Sequence, residues 1–267
     1  MSIKFYGFIH IPFTNEVRAK DIFLSSQISE LHERLNYYLA HKGIGLVLGE
    51  VGSGKTTAVR SWVESQNPNN HKTVYLPQVP DKPRALWRTL ARSFDLTPSY
   101  QKDDCKAKVS AFIEDLSQNQ KLKLILIIDE TQNIPDPILE EIRLLTNSQM
   151  DSRSDLTIIL IAQPIFKSRL KVPDLKALAQ RIRRPFFVAG LSSEEVKAYI
   201  NHQLKLAGKT DPLFGDDAIS LIFNYSKGIP RVINNLCLDA LDEAAKQKRD
   251  IIEEKLIERL INEWENL

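Results

Sequence analysis

The sequence predicts an α/β fold, a three-layer parallel-sheet core followed by a C-terminal all-helical lid. Three observations carry that expectation. Five short apolar runs are separated by segments of helix length. The runs are continuous rather than alternating, as strands buried on both faces require. After Gly190 the periodicity becomes wholly helical.

The strand candidates are residues 44–48, 73–76, 122–128, 156–162 and 185–188. Right-handed crossovers between them would lay helices on both faces of one sheet. Beyond Gly190, Ser192 and Glu195 have the spacing of a capping box, which opens a helix to about residue 206, closed by Gly208. A second helix spans about 216–227 and stops at Gly228, and Pro230 suits the first turn of a third, where a missing N–H costs nothing. A fourth covers about 253–265. The expected division is a core over 1–190, including an aromatic N-terminal segment at 1–27, and a helical lid over 191–267.

Composition excludes several classes. Of 267 residues, 43% are hydrophobic and 26% charged, which is globular rather than disordered or fibrous. Cys105 and Cys237 cannot form a disulfide framework. His10, His32, His41, His71 and His202 are scattered, so a multi-histidine metal centre is not expected. The apolar runs are shorter than the ~20 residues a membrane span needs, and the N-terminus lacks a signal peptide's apolar stretch. The expectation is a cytoplasmic protein with reduced thiols. The net charge of +2 hides an asymmetry: residues 191–267 carry 10 basic and 14 acidic side chains, leaving 26 and 20 in the first 190. A basic front suggests an anionic partner, although solvated surfaces also differ by chance.

The first motif with chemistry is Gly49-Glu50-Val51-Gly52-Ser53-Gly54-Lys55-Thr56, which fits GxxxxGK[ST] between a strand and a helix. Glycines let backbone N–H groups turn inward on phosphate oxygens, and the helix N-terminus adds positive potential. Lys55 reaches the β- and γ-phosphates, Thr56 offers a hydroxyl to Mg²⁺, and Thr57 completes the nucleotide-binding set. The second motif is an apolar strand ending in Asp129-Glu130. Asp129 is the second expected Mg²⁺ contact, and Glu130 is placed to polarise the water that attacks the γ-phosphate. Without a guanine-reading Asn-Lys-x-Asp motif, ATP is the expected nucleotide. Gln163 ends the neighbouring strand, where it can orient the lytic water, sense the γ-phosphate or simply cap a turn. Arg181, with Arg183 and Arg184 in reserve, is a candidate phosphate clamp supplied to a neighbouring subunit. Arg231 can reach nucleotide from a lid helix or form a surface ion pair.

These motifs, together with Phe5-Tyr-Gly-Phe8, Pro12-Phe13, 139–147, Gln163-Pro164, Leu178-Ala-Gln-Arg181 and 228–234, resemble the AAA+ ATPases of the ExeA/GspA-type group over nearly the whole chain. The resemblance implies Walker A at Gly49–Thr56, Walker B at Asp129-Glu130, sensor 1 near Gln163, an arginine finger at Arg181 and sensor 2 at Arg231. Sensor 1 is more often asparagine in AAA+ proteins. The aromatic N-terminal segment would pack near adenine. Secretion members of the group carry a transmembrane segment and a peptidoglycan-binding part after the ATPase. A chain ending at Leu267 is instead expected to be a stand-alone ATPase, resembling the transposition regulators related to MuB, TnsC and TniB, and Asn147-Ser-Gln-Met-Asp-Ser152 points the same way. That resemblance implies an ATP- and Mg²⁺-dependent homo-oligomer, a ring or filament on duplex DNA, which marks a target and recruits a transposase or a targeting protein. The alternative is a secretion-associated ATPase acting on envelope proteins.

Basic stripes suit sequence-independent DNA contact. Seven basic residues lie between Lys167 and Arg184 beside one acid, Asp174, and seven between Lys82 and Lys108 beside three. No helix-turn-helix or zinc-finger signature suggests base reading.

Overall fold

A computed structural model describes residues 2–14, 17–146 and 155–266. In chain order, α1 (Ser2–Tyr6) and α2 (Ser26–His41) precede β1 (Gly43–Gly49), α3 (Lys55–Ser65) and β2 (His71–Leu76). Then come α4 (Pro83–Ser93), α5 (Lys102–Gln118), β3 (Lys123–Ile128), α6 (Asp136–Leu144) and β4 (Leu156–Ala162). They are followed by α7 (Ile165–Arg169), α8 (Lys176–Arg181) and β5 (Ile182–Val188). Last are α9 (Ser193–Leu206), α10 (Asp216–Ser226), α11 (Pro230–Lys246) and α12 (Glu254–Glu265).

The contacts divide the chain into two compact units. One comprises residues 30–49 and 55–188, the other residues 1–29, 50–54 and 189–267. The N-terminal segment, grouped with the core on sequence, thus clusters with the C-terminal helices.

The first unit is a five-stranded parallel sheet in the order β2-β3-β4-β1-β5. Alternation sorts its apolar side chains onto two faces. Ile44, Leu46, Leu48, Leu124, Leu126, Ile128, Leu156, Ile158 and Leu160 share a core with Leu86, Trp87 and Leu90 of α4, Cys105 and Val109 of α5, and Ile138, Leu139 and Ile142 of α6. The opposite parity includes Val47, Ile125, Ile127, Ile159 and Ile161, which are also buried. On that side Gly45 lies against α2: a β-carbon there would sit 2.2 Å from the Tyr38 ring. Helices therefore cover both faces, the expected three layers. Because every strand is parallel, Gly49, Asp129 and Gln163 emerge at the same carboxyl edge, where ligands of such sheets bind.

The second unit is helical. Ser192 caps α9, its hydroxyl accepting from the Glu195 amide at 3.2 Å while the Glu195 carboxylate accepts from the Ser192 amide at 3.0 Å. Lys227, left-handed at φ 51°, ends α10, and Pro230 opens α11. Tyr6, Phe8 and Phe13 are buried in this unit's apolar core with Phe214, Ile233 and Leu241. The Tyr6 hydroxyl donates to the Arg249 carbonyl at 2.9 Å. These rings, which the resemblance expects to pack near adenine, are part of the helical core, while Phe5 stays partly exposed. Among the described residues no helix is long and apolar enough to cross a membrane.

Candidate nucleotide site

The loop after β1 has the backbone its glycines were expected to permit. Gly52 and Gly54 take φ of 82° and 86°, and the Ser53 amide donates to the Glu50 carbonyl at 3.2 Å. The Ser53 hydroxyl is buried with no hydrogen-bond partner among the described residues. Lys55, the first residue of α3, is buried and its Nζ donates to the Gly49 carbonyl at 2.8 Å. The lysine is thereby folded back onto the last residue of β1, and Thr57 follows on the first turn of α3.

Across the sheet edge the Thr56 hydroxyl donates to Asp129 Oδ2 at 2.7 Å. The Tyr75 hydroxyl, from the penultimate position of β2, donates to the same oxygen at 3.1 Å. Asp129 Oδ1 accepts from the Glu130 amide at 2.8 Å, and the Asp129 amide donates to the Leu76 carbonyl at 3.0 Å. Asp129 is buried, and both of its side-chain oxygens accept hydrogen bonds. Burial, followed by the Asp129 charge, pushes the Tyr75 hydroxyl up to about 12, so it remains a donor at any working pH.

The donor set fits Mg²⁺. A hydroxyl and a carboxylate already in contact, with phosphate oxygens as further ligands, suit a small cation that keeps several waters. Among the described residues no group of three His, Cys, Asp or Glu side chains offers an all-protein metal cage.

Glu130 has left-handed backbone (φ 50°, ψ 36°), which turns its exposed carboxylate out of the strand line. Its Oε2 accepts from Gln132 Nε2 at 2.6 Å. Gln132 Oε1 in turn accepts from the Gln163 amide at 3.0 Å. Gln163 is thus linked through its backbone amide and Gln132 to the Glu130 carboxylate, while its own side-chain amide has no hydrogen bond among the described residues. Arg169, counted in a basic stripe, donates to the carbonyls of Gln132 (2.7 Å) and Ile134 (2.8 Å) and pairs with Asp136.

The expected arginines are placed separately. Arg181 ends α8 and donates to the Thr146 hydroxyl at 3.0 Å. Arg183 and Arg184 lie in β5, where the Arg184 guanidinium stacks 4.4 Å from the Tyr37 ring centroid. Arg231, in the first turn of α11, donates its amide to the Gly52 carbonyl at 3.2 Å. A β-carbon on Gly52 would come within 2.6 Å of the Arg231 β-carbon. The sensor 2 candidate is therefore packed on the phosphate loop, and a surface ion pair is not what holds it. Sequence reasoning missed Tyr75 and Gln132, whose roles come from strand order and a turn rather than from a motif. The stretch Asn147–Ser152 lies outside the described residues.

Comparison with known proteins agrees with this geometry. A family model described as AAA domain matches residues 38–170. General secretion pathway protein A of Aeromonas hydrophila is 34% identical over 246 residues, which is 90% of this chain and 44% of that protein. The chain thus spans less than half the length of this relative. Among solved structures, Cdc6p of Pyrobaculum aerophilum aligns with a TM-score of 0.63 at 16% identity, over 94% of this chain and 68% of that one. The ORC1 protein of Aeropyrum pernix, solved in complex with DNA, gives 0.64 at 12%, over 93% and 68%. The RuvB Holliday junction branch migration motor of Thermotoga maritima gives 0.52 at 16%, over 90% and 69%. At such identities these structures speak for the fold alone.

Proposed function

Because the chain is an AAA+ ATPase that binds ATP with Mg²⁺, we propose that it is a nucleotide-driven switch of the general secretion pathway protein A kind, acting on protein partners of the cell envelope from the cytoplasmic side, where ATP is available. The observation that carries this reading is the 34% identity running through 90% of the chain. It favours the secretion-associated reading over the transposition regulator expected first, because the matched relative is a general secretion pathway protein.

In the proposed reaction Glu130 takes a proton from the attacking water. The water oxygen bonds the γ-phosphorus as the bond to the ADP oxygen breaks. Bound Mg²⁺ would draw charge from the phosphate oxygens and would be held by Thr56 and Asp129. Lys55, the loop from Gly49 to Gly54 and Thr57 hold the phosphates, Gln163 orients the water, and Arg181 and Arg231 complete the charge set.

A second reading, DNA contact, is favoured by one surface. Lys82, Arg84, Arg88, Thr89 and Arg92 line a groove of about 300 Å³ on α4. Arg84 and Arg88 each bury an Nε that has no hydrogen-bond partner among the described residues. The exposed Tyr100 ring stacks 4.0 Å under Arg84. Arginines four residues apart rise in steps of ~6 Å along the helix, a row that suits successive phosphates of one strand.

ATP turnover measured with and without duplex DNA, at low and moderate salt, separates the readings. Wild-type turnover indifferent to DNA, with Glu130→Gln binding ATP but hydrolysing it at least ~100-fold more slowly, supports the first. Stimulation by DNA that fades with salt and is lost in Arg84→Ala/Arg88→Ala replaces it with the second. Unchanged turnover in Glu130→Gln removes Glu130 from the chemistry.

A further inference from the structure

We infer that Gln132 is the positioning residue for the general base, tying the Glu130 carboxylate to the end of β4; the inference rests on the reading of Glu130 as that base. Glu130 is a long, exposed side chain on left-handed backbone. Left alone it would sample several rotamers, and only some would present a carboxylate oxygen to an in-line water. Gln132 restrains it from a fixed point. Its backbone lies in a single 3-10 turn, Thr131–Asn133, where the Asn133 amide donates to the Glu130 carbonyl at 2.9 Å. The Arg169 guanidinium holds the Gln132 carbonyl at 2.7 Å and the Ile134 carbonyl at 2.8 Å, so the turn cannot drift from α7.

From that anchored turn the amide uses both ends. Nε2 donates to Glu130 Oε2, and Oε1 accepts from the Gln163 amide, the first residue past β4. Oε2 is thereby occupied, while no hydrogen bond to Oε1 is found among the described residues, leaving it to face water. The bridge also links the two strand tips that the chemistry needs in register: β3, which carries the base, and β4, which carries the candidate γ-phosphate sensor. A displacement of Gln163 on meeting phosphate would be transmitted through one side chain to the base.

Only glutamine satisfies this geometry. Glutamate keeps the acceptor for the Gln163 amide but sets a carboxylate against Glu130. Asparagine keeps both functions but is one methylene too short to span them. Alanine removes both.

The test compares steady-state ATP hydrolysis, fluorescent ATP-analogue affinity and thermal midpoint for wild type, Gln132→Glu, Gln132→Asn, Gln132→Ala and Glu130→Gln. The expected result is a kcat about 10- to 100-fold lower in Gln132→Glu and Gln132→Ala, with a smaller loss in Gln132→Asn. KM, analogue affinity and midpoint should stay near wild type. A purely structural role predicts the opposite order, with Gln132→Glu fully active because it preserves the contact to β4. Wild-type kcat in Gln132→Glu and Gln132→Ala overturns the inference. If Glu130→Gln itself hydrolyses like wild type, the base reading fails and the positioning role fails with it. If Gln132→Glu alone lowers the midpoint, the inference stands or falls on the kcat of Gln132→Asn.

Discussion

At the scale of single residues, the phosphate loop shows two glycines required for different reasons. Gly52 and Gly54 both have left-handed φ, which costs an L-residue about 1–2 kcal/mol. Around Gly54 a β-carbon would meet nothing within 4 Å, so Gly54→Ala carries only the backbone cost. At Gly52 the same atom would lie 2.6 Å from the Arg231 β-carbon on a helix that cannot retreat without losing its hydrogen bond to the Gly52 carbonyl. Overpacking of this kind adds about 1–3 kcal/mol. Nucleotide-free urea denaturation should therefore rank wild type above Gly54→Ala and Gly54→Ala above Gly52→Ala. Equal midpoints for the two variants would show that Arg231 does not press on the loop. Tyr75 is a second lesson at this scale. Its hydroxyl reaches Asp129 only because β2 lies beside β3, an adjacency that no local pattern announces.

Among the elements, α4, α5 and α6 are joined by one buried carboxylate. Glu141 of α6 accepts from Trp87 Nε1 of α4 at 3.0 Å and pairs with Lys102 of α5, with Lys106 3.9 Å away. Burial works to raise this carboxyl, but the hydrogen bonds from Lys102 and Trp87 outweigh it and hold the carboxyl below the usual glutamate range. A carboxyl depressed on folding stabilises above its unfolded value of about 4.3 and loses that contribution as pH falls through the folded value. Glu141→Gln should cost about 1–3 kcal/mol in urea titrations at pH 7, and the gap to wild type should close at pH values below the glutamate range. A gap that persists there would assign the effect to packing rather than charge. The strands show what was legible at this level. β1, β3 and β4 are readable because both faces are buried and, apart from Lys123 and Thr157, their side chains are apolar. The apolar run predicts β5 only from residue 185, three residues late, since Ile182 and Arg183 pair with β1 through their backbone while the arginines carry the signal of a helix end. Likewise 1–29 was assigned to the core because only long-range contacts, such as that of Ile9 with Ala207, place it with the helices. Walker A and Walker B were visible as motifs. The Gln132 bridge was not, because it depends on where β4 ends.

For the whole molecule, the placement of Arg181 bears on assembly. Within its own chain it closes α8 onto Thr146 at the end of α6, and its charge contributes, after Arg143, to holding the Glu140 carboxyl down. None of these contacts involves Asp129 or Glu130, which fits the proposed role of Arg181 at a neighbouring copy's site. If identical subunits meet head to tail, each site is a composite, with Glu130 from one chain and Arg181 from the next. Two inactive variants should then repair each other. Arg181→Ala subunits keep an intact Glu130, and Glu130→Gln subunits keep an intact Arg181. Random mixing in equal amounts puts a complete pair at about a quarter of the interfaces, so turnover should rise well above the sum of the separate proteins. The gain should disappear on dilution as copies separate. A mixture that merely averages its components, while each variant still binds ATP, would confine Arg181 to contacts within its own chain and leave the site complete within one chain.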